Sequence, residues 1–295
     1  MNSPVRHVPV LFAEVMNWLA LKPTGIYIDC TLGGGGHASG ILEGSRPAGR
    51  LLALDRDSDA IAVATRHLQP YQDRLTTVHR SFADVGDVAR AQGLTQVDGI
   101  VLDLGLSLLQ LSDAGRGFSF QADGPLDMRF DQSQTWSALD VVNHWSERDI
   151  ADLIAQYGEE PRARAIARAI VRRRPLATTA ALAAVVASVA GRRGRRHPAT
   201  RTFQALRMAV NDELDALRAA LPQAVELLGS SGRLLVISFH SLEDRIVKEF
   251  YRQQQQIGAL SILTKKPITP ADDEIRVNPR SRSAKLRVAT RASAL

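Results

Sequence analysis

The sequence has only one cysteine, Cys30, among its 295 residues. A single cysteine cannot form an internal disulfide, so a secreted scaffold held by disulfides is excluded and a reduced, intracellular protein is expected. No stretch has the length and apolar character of a membrane span, and the first residues lack the apolar region of a signal peptide. These absences predict a cytoplasmic protein.

The sequence also lacks clusters of His and Cys at zinc-ligand spacing, and it has no internal repeat. We therefore expect no bound metal. With 45% hydrophobic residues, the chain can bury a large core, either in one domain with an insertion or in two domains, and general disorder is excluded.

Acidic residues are missing from one long segment. Residues 161–207 contain twelve arginines and no Asp or Glu, whereas the whole chain has a net charge of +6, so the remainder sums to about −6. A genome that favours arginine would explain why 32 of the 37 basic residues are Arg, but it would not remove every acid from this segment. The gap predicts a surface for a polyanion.

The most informative stretch is residues 25–37, where a short apolar run ends at four consecutive glycines. This pattern predicts a buried strand, a nucleotide-binding turn, and a helix from about His37 to Leu42. The next apolar run, residues 50–55, ends in Asp55, at the spacing where a carboxylate meets a ribose in doubly wound folds. The alternative is a structural turn beside a surface Asp.

Two further strands bring candidate site residues to the same edge. Residues 74–79 predict a third strand followed by Phe82, which either lies against an adenine ring or belongs to the core. Residues 97–103 predict a fourth strand ending in Asp103, which either accepts a proton or hydrogen bond from a substrate amine or simply closes the strand. We expect Asp29, Asp55 and Asp103 to converge on one edge of the sheet.

A helical segment separates the fourth strand from the fifth, which residues 233–239 supply. Ser146 begins a capping box, Pro161 starts an Arg-rich helix, and Thr178 or Thr179 opens a third helix. A long helix from Pro198 is expected to carry one apolar stripe: Phe203, Leu206, Val210, Leu214 and Leu217. We predict a discontinuous core of residues 1–107 and 213–295, with residues 108–212 as an insertion for an RNA substrate.

The fifth strand leads into Ser238 and His240, either of which serves catalysis or caps the next helix. Residues 262–268 and 283–289 predict two strands paired as a hairpin. Two basic loops are candidate RNA contacts: one carries Arg192, Arg193, Arg195 and Arg196, and the other carries Arg280 and Arg282.

Together these features resemble a class I S-adenosylmethionine-dependent methyltransferase, and more closely the ribosomal RNA small subunit methyltransferase H family. The resemblance covers almost the whole chain, in residues 7–11, 27–37, 103–107, 116–120, 124–129, 197–204, 238–245 and 278–287. The family usually has Ser, Pro and Asp where this chain has Leu108, Leu109 and Ser112.

The resemblance implies an α/β fold, a Rossmann-like sheet with a helical insertion after the fourth strand. It implies methylation of the exocyclic N4 of a cytidine in the decoding region of small-subunit (16S) ribosomal RNA, with S-adenosyl-L-methionine as cofactor. The cofactor positions that it implies are Gly35, Gly36, His37, Asp55, Phe82, Asp103 and Gln110. Asp103, Ser107, Ser238 and His240 are the candidate catalytic residues.

Two other function classes stay open at this point. A dinucleotide-dependent oxidoreductase would share the glycine turn but gives no reason for the Arg-rich segment. A non-enzymatic RNA-binding assembly factor would explain the arginines but not the acids at the strand ends. The sequence also leaves open whether the chain forms a homodimer, and whether free RNA or the assembled small subunit is the substrate.

Overall fold

The computed structural model describes residues 9–191 and 197–292. The strands are β1 (Ile26–Asp29), β2 (Arg50–Asp55), β3 (Leu75–His79), β4 (Val97–Asp103), β5 (Leu228–Ser238), β6 (Leu260–Ile262) and β7 (Lys285–Arg291). The helices are α1 (Phe12–Leu19), α2 (Gly36–Gly44), α3 (Ser58–His67), α4 (Val85–Ala91), α5 (Leu108–Ser112), α6 (Ala138–His144), α7 (Glu147–Gly158), α8 (Ala163–Arg172), α9 (Thr179–Ala190), α10 (Thr200–Val210), α11 (Glu213–Leu227), α12 (Ser241–Gln256) and α13 (Asp272–Val277). Short 3-10 turns cover Gln69–Arg74, Phe82–Asp84, Ala114–Arg116 and Pro279–Ser283.

The chain divides into two compact units. The sheet unit consists of Met1–Gly105 with Leu214–Leu295, and the helical unit consists of Leu106–Glu213. Each unit has hydrophobic cores formed by its own residues. No helix in the described residues is both long enough and apolar enough to cross a membrane.

The sheet has the strand order β3-β2-β1-β4-β5-β7-β6. The first five strands in this order run parallel, and β7 pairs antiparallel with both β5 and β6. Chain order reverses between β1 and β4, which makes this the switch point where doubly wound sheets bind ligands at the carboxyl ends of their strands. The predicted Rossmann-like fold is confirmed, and so is antiparallel pairing of the last two strands. The predicted bounds of the first of them are wrong, because β6 is Leu260–Ile262, and of residues 263–268 only Ile268 pairs, in an isolated bridge to Leu286.

Alternation along the strands builds a core on each face of the sheet. On β4, Ile100 and Leu102 belong to one core cluster, while Val101 between them belongs to the other. Successive side chains of a strand point to opposite faces of the sheet. A strand in a sheet that is covered on both faces therefore needs an uninterrupted run of apolar residues. The apolar runs read from the sequence are therefore buried central strands.

The helical unit begins its helices at the predicted caps. The Ser146 hydroxyl accepts from the Asp149 N–H at 3.1 Å at the start of α7, and the Thr178 hydroxyl accepts from the Ala181 N–H at 3.2 Å at the start of α9. Gly191 ends α9 with a positive φ of 64°. A helical segment after the fourth strand, as predicted, is confirmed.

The single long helix predicted from Pro198 is wrong. It is two helices, α10 and α11, because Asp212 adopts a left-handed φ of 49°. The buried amide of Asn211 holds this break: it accepts from the Phe130 N–H at 2.7 Å and donates to the Met128 carbonyl at 2.7 Å. The expected stripe is thus divided, and its residues Phe203 and Leu217 lie in different cores.

The helix after β2, α3, begins at an acidic cap close to the candidate site. The cap is Asp57, whose carboxylate accepts from the N–H groups of Asp59 and Ala60, and Ser58 is the first helical residue. Asp and Ser are comparable capping residues, so adjacent candidates cannot be separated by residue type. The position of this cap matters for the site, because the Asp57 N–H also donates to the Asp55 carboxylate at 2.9 Å.

Candidate functional site

The glycine turn connects β1 to α2 at the carboxyl edge of the sheet. Gly33 and Gly35 have positive φ values of 50° and 83°, which glycine adopts without steric cost. Gly36 and His37 then form the first turn of α2, where N–H groups lack partners within the helix. Gly33 and Gly34 therefore present an open backbone surface next to a helix N-terminus, as a nucleotide-type ligand requires.

Asp55 ends β2 beside this turn. Its carboxylate accepts from the Gly33 N–H at 2.7 Å and from the Asp57 N–H at 2.9 Å. Burial raises the pKa of Asp55, and these backbone donors act in the opposite direction. The bonds fix the carboxylate against the glycine turn, with further lone pairs available to hydroxyl donors.

Asp29 and Asp103 end the two strands that border the switch point. β1 and β4 are neighbours in register, with Asp29 opposite Val101, so both carboxylates reach the same edge. Thr31 links them: its N–H donates to Asp29 Oδ1 at 3.0 Å, and its hydroxyl accepts from the Asp103 N–H at 2.7 Å. The predicted convergence of strand-end acids is therefore present, and Thr31 is a residue that the sequence analysis missed.

One oxygen of each acid lacks a hydrogen-bond partner among the described residues. Asp29 Oδ2 and Asp103 Oδ1 are both buried without a donor. Burial raises the pKa of Asp29 to about 7, with repulsion from Asp55 adding to the shift. Burial also raises the pKa of Asp103 well above its usual range, and repulsion from Asp29 adds to that shift. A buried acid without a donor is unfavourable unless it is protonated or meets a cation or hydrogen-bond donor.

His37 lies between the N-terminal segment and Asp103. Its Nε2 is 3.1 Å from the Val10 carbonyl oxygen, and its Nδ1 is 3.5 Å from Asp103 Oδ2. The ring is buried and stacks at 6.2 Å on Phe12. When Nε2 carries the proton donated to Val10, the Nδ1 lone pair faces Asp103 and can accept a proton from it.

Within the described residues, no Lys or Arg forms an ion pair with Asp29, Asp55 or Asp103. Glu243 adds a further negative charge that raises the Asp103 pKa. The edge therefore concentrates carboxyl groups without a neutralising basic side chain. Such a site favours a ligand that is positively charged or rich in hydrogen-bond donors.

Phe82 follows β3 in a 3-10 turn and is partly buried against the core that includes Val85. Its ring thus has both a packed side and an accessible side, which leaves the adenine role a prediction.

Ser238 ends β5 with a buried hydroxyl 3.4 Å from the Lys285 carbonyl oxygen.

His240 is the N-cap of α12. Its Nδ1 accepts from the Glu243 N–H at 3.4 Å, and its Nε2 lies 3.2 Å from Glu243 Oε1. Glu243 in turn accepts from the N–H of Phe239 at 2.9 Å. The helix-capping alternative therefore describes the geometry, and catalysis by His240 stays a prediction. Glu243 was missed, although its position three residues after a cap is the capping-box signal.

Ser107 and Gln110 belong to the helical unit and form a capping box at the start of α5. The Ser107 hydroxyl accepts from the Gln110 N–H at 3.2 Å, and the Gln110 side-chain oxygen accepts from the Ser107 N–H at 3.0 Å. The adjacent Leu108 and Leu109 are each 39% exposed. These contacts give both polar residues a structural role, whatever else they bind.

The candidate RNA contacts divide by location. Arg280 and Arg282 lie in the turn Pro279–Ser283 with exposed side chains, and no ion pair to either is formed within the part of the chain that the structure describes. Arg192, Arg193, Arg195 and Arg196 lie outside the described residues. Their contact with RNA stays a prediction.

Comparison with known proteins settles the family. The model of the MraW methylase family matches residues 4–292. The chain belongs to the MraW methylase family. It is 52% identical to ribosomal RNA small subunit methyltransferase H of Thermomicrobium roseum, covering 97% of this chain and 93% of that protein. It is 50% identical to the protein of the same name from Koribacter versatilis, covering 97% and 94%.

A solved structure from Clostridium thermocellum shares the fold, with a TM-score of 0.50 and 12% identity over 97% of this chain and 99% of that one. As a member of this methylase family, the chain uses S-adenosylmethionine as methyl donor. Membership decides against the dinucleotide-dependent oxidoreductase.

The residues present fit this cofactor. S-adenosylmethionine carries positive charge on its sulfonium and its amino group, and it presents ribose hydroxyls as donors. The edge offers the complementary groups: the donor-free oxygens of Asp29 and Asp103, and the Asp55 carboxylate fixed beside Gly33.

Proposed function

We propose that this protein transfers a methyl group from S-adenosylmethionine to the N4 amine of a cytidine in the decoding region of 16S ribosomal RNA. This proposal is supported by the family, by the relatives named for small-subunit ribosomal RNA, and by the three acids at the switch point. The observation that carries it is the pair of buried acids, Asp29 and Asp103, each with an oxygen lacking a donor within the described residues.

We assign cofactor binding to Gly35, Gly36, His37, Asp55, Phe82, Asp103 and Gln110. The glycine turn admits the ligand close to the backbone, and Asp55 accepts from the ribose hydroxyls. S-adenosylmethionine supplies a methyl group on a sulfonium, which departs as a neutral thioether when a nucleophile attacks in line.

Asp103 has the central catalytic role in this proposal. The N4 amine of cytosine is a poor nucleophile because its lone pair is delocalised into the ring. An acceptor at the amine localises that lone pair and takes the proton, and fixed orientation of the amine contributes much of the rate. Asp103 is suited to this because its pKa is raised and His37 Nδ1 lies 3.5 Å away to share the proton.

Ser107, Ser238 and His240 are the secondary candidates for proton acceptance or amine positioning. Each side chain already forms a hydrogen bond that it would keep in this role. The partner is the Gln110 N–H of the capping box for Ser107, the Lys285 carbonyl for Ser238, and the Glu243 N–H for His240. The target cytidine must be unpaired or flipped, since its N4 takes part in Watson–Crick pairing.

Transfer of a labelled methyl group tests the proposal. Purified protein is incubated with methyl-labelled S-adenosylmethionine and either small ribosomal subunits or free 16S RNA, and the RNA is digested and analysed by mass spectrometry. Label recovered in N4-methylcytidine supports the proposal, and the two substrates separate free RNA from the assembled subunit. RNA binding without transfer would instead favour the non-enzymatic assembly factor.

A further inference from the structure

The arginines of the acid-free segment fall into distinct groups in the structure. Four are used to hold the helical unit together through bonds to carbonyls or carboxylates. These are Arg162 with Val189 and Ala190, Arg174 with Val142 and Trp145, Arg201 with Glu159 and Glu160, and Arg207 with Glu213. Their charge is therefore not evidence of a ligand surface.

A second group lies along the outer face of α8. Arg164, Arg168 and Arg172 are exposed at a spacing of four residues, while Ile166 and Ile170 on the other face are fully buried. Four helical residues rise about 6 Å, so the three guanidinium groups follow one another in a row of roughly 12 Å. We call Arg164, Arg168 and Arg172 the α8 arginine row.

The row meets little opposing charge. Arg164 and Arg172 form no ion pair within the described residues, and Arg168 pairs with Glu147 of α7 at 3.4 Å. The neighbouring Asp152 is already 3.7 Å from Arg148. Like charges one turn apart repel each other in a helix, so this row opposes folding unless a polyanion compensates it.

We propose that the α8 arginine row binds the phosphate backbone of the substrate RNA. This rests on the proposed function, because it takes the RNA class of the substrate from there. Arginine suits the task because its planar fork binds phosphate oxygens bidentately and stays charged. A row without exposed aromatic residues on the helix itself implies contact with the backbone rather than with bases.

The experiment compares two triple variants of the full chain. Arg164→Gln, Arg168→Gln and Arg172→Gln are combined in the test variant, and Arg66→Gln, Arg90→Gln and Arg252→Gln in the control. The control removes the same charge from exposed positions of the sheet unit. Binding of a labelled single-stranded fragment of small-subunit RNA is measured at several salt concentrations.

We expect the slope of log affinity against log salt to fall by about 2 in the test variant, because each phosphate neutralised on a single strand contributes roughly 0.7 to the slope. Affinity at 0.1 M salt should fall by roughly tenfold or more on the same basis. The control should retain the wild-type slope. A test variant with the wild-type slope, or with a decrease equal to that of the control, would overturn the proposal.

Glu147→Gln is expected to act in the opposite direction to the triple variant. Removing this carboxylate releases Arg168 for RNA, so affinity should rise and the salt slope should steepen. An unchanged or weaker affinity counts against the row. Methyl transfer by the wild-type protein is measured in parallel: its absence contradicts the proposed function, while an unchanged slope contradicts only the α8 arginine row.

Discussion

The two units of the chain place opposite charges at their candidate ligand surfaces. The sheet unit gathers Asp29, Asp55 and Asp103 at strand ends, with no Lys or Arg in an ion pair with them in the described residues. The helical unit has a segment of 47 residues without an acid. Its described arginines, apart from the exposed Arg173 that follows α8, either bond inside the unit or line α8. Each unit therefore suits a ligand of the opposite sign.

This difference explains how one protein can handle two unlike molecules. Buried acids cost folding free energy when they lack a counter-charge, and so does a row of like charges on a helix. In the proposed division, ligand binding offsets both costs, through a cationic cofactor in the sheet unit and polyanionic RNA in the helical unit. If the division is correct, each change below should affect one ligand and leave the other nearly unchanged.

The largest expected effect comes from Asp103→Ala. Methyl incorporation at saturating cofactor should fall roughly 10³-fold or more, because the variant can neither accept the proton nor position the amine. RNA affinity should stay at the wild-type value. Asp98→Ala is the matched control at the other end of β4, where the carboxylate binds Lys22 instead. Near wild-type turnover in Asp103→Ala would move the essential acceptor to Ser107, Ser238 or His240.

The next effect is on RNA. Changing Arg192, Arg193, Arg195 and Arg196 to Gln should reduce the slope of log affinity against log salt by up to about 3, at roughly 0.7–0.9 per phosphate contact. Filter binding of a small-subunit RNA fragment at several salt concentrations measures it. The dissociation constant for S-adenosylmethionine should not move. A slope equal to wild type would assign these arginines to a solvated loop.

Asp55→Ala should weaken S-adenosylmethionine binding by ~1.5–3 kcal/mol, since the ribose hydroxyls no longer have a charged acceptor. Isothermal titration calorimetry measures the change, and RNA affinity serves as the internal control. Because Asp55 also accepts from Gly33 and Asp57, thermal unfolding should accompany the titration. An unchanged dissociation constant in a folded variant would remove Asp55 from the site.

The smallest effect is a pH dependence that belongs to the sheet unit alone. The folded pKa of Asp29, about 7, lies above its unfolded value, so this group contributes stability at low pH that is lost as pH rises to about 7. A cationic cofactor favours the ionised form, so its affinity should increase between pH 6 and 8 and binding below pH 7 should release a proton. Asp29→Asn should flatten this increase. Titrations in buffers of different ionisation enthalpy measure the proton release. Undiminished release in Asp29→Asn would contradict this prediction.

Much of the sheet unit could be predicted because its signals are local. Apolar runs of strand length, a four-glycine turn and acids at the ends of β1, β2 and β4 are sufficient to predict that Asp29, Asp55 and Asp103 reach one edge of the sheet. The resemblance to a known family then supplied the cofactor, which the family match supports.

The remaining features depend on contacts between distant residues. The break between α10 and α11 is held by Asn211, whose partners Met128 and Phe130 lie some 80 positions away in sequence. Hydrophobic periodicity does not reveal such a bond, so the sequence predicted one apolar stripe, and one helix, across the break. The effects of Thr31 and Glu243 on Asp103 were missed for the same reason, because Thr31 follows β1 and Glu243 lies in α12, both distant from Asp103 in sequence.

The central claim, that strand-end acids bind the cofactor while the arginines bind RNA, is tested most directly by a double measurement on Asp103→Ala and the α8 triple variant. Each protein is titrated with S-adenosylmethionine and with a small-subunit RNA fragment, and its methyl transfer to N4 of cytidine is measured. We predict that Asp103→Ala loses transfer and binds the cofactor more weakly but keeps RNA affinity. The triple variant should lose RNA affinity but keep cofactor affinity. Loss of both affinities in either folded variant would contradict the division.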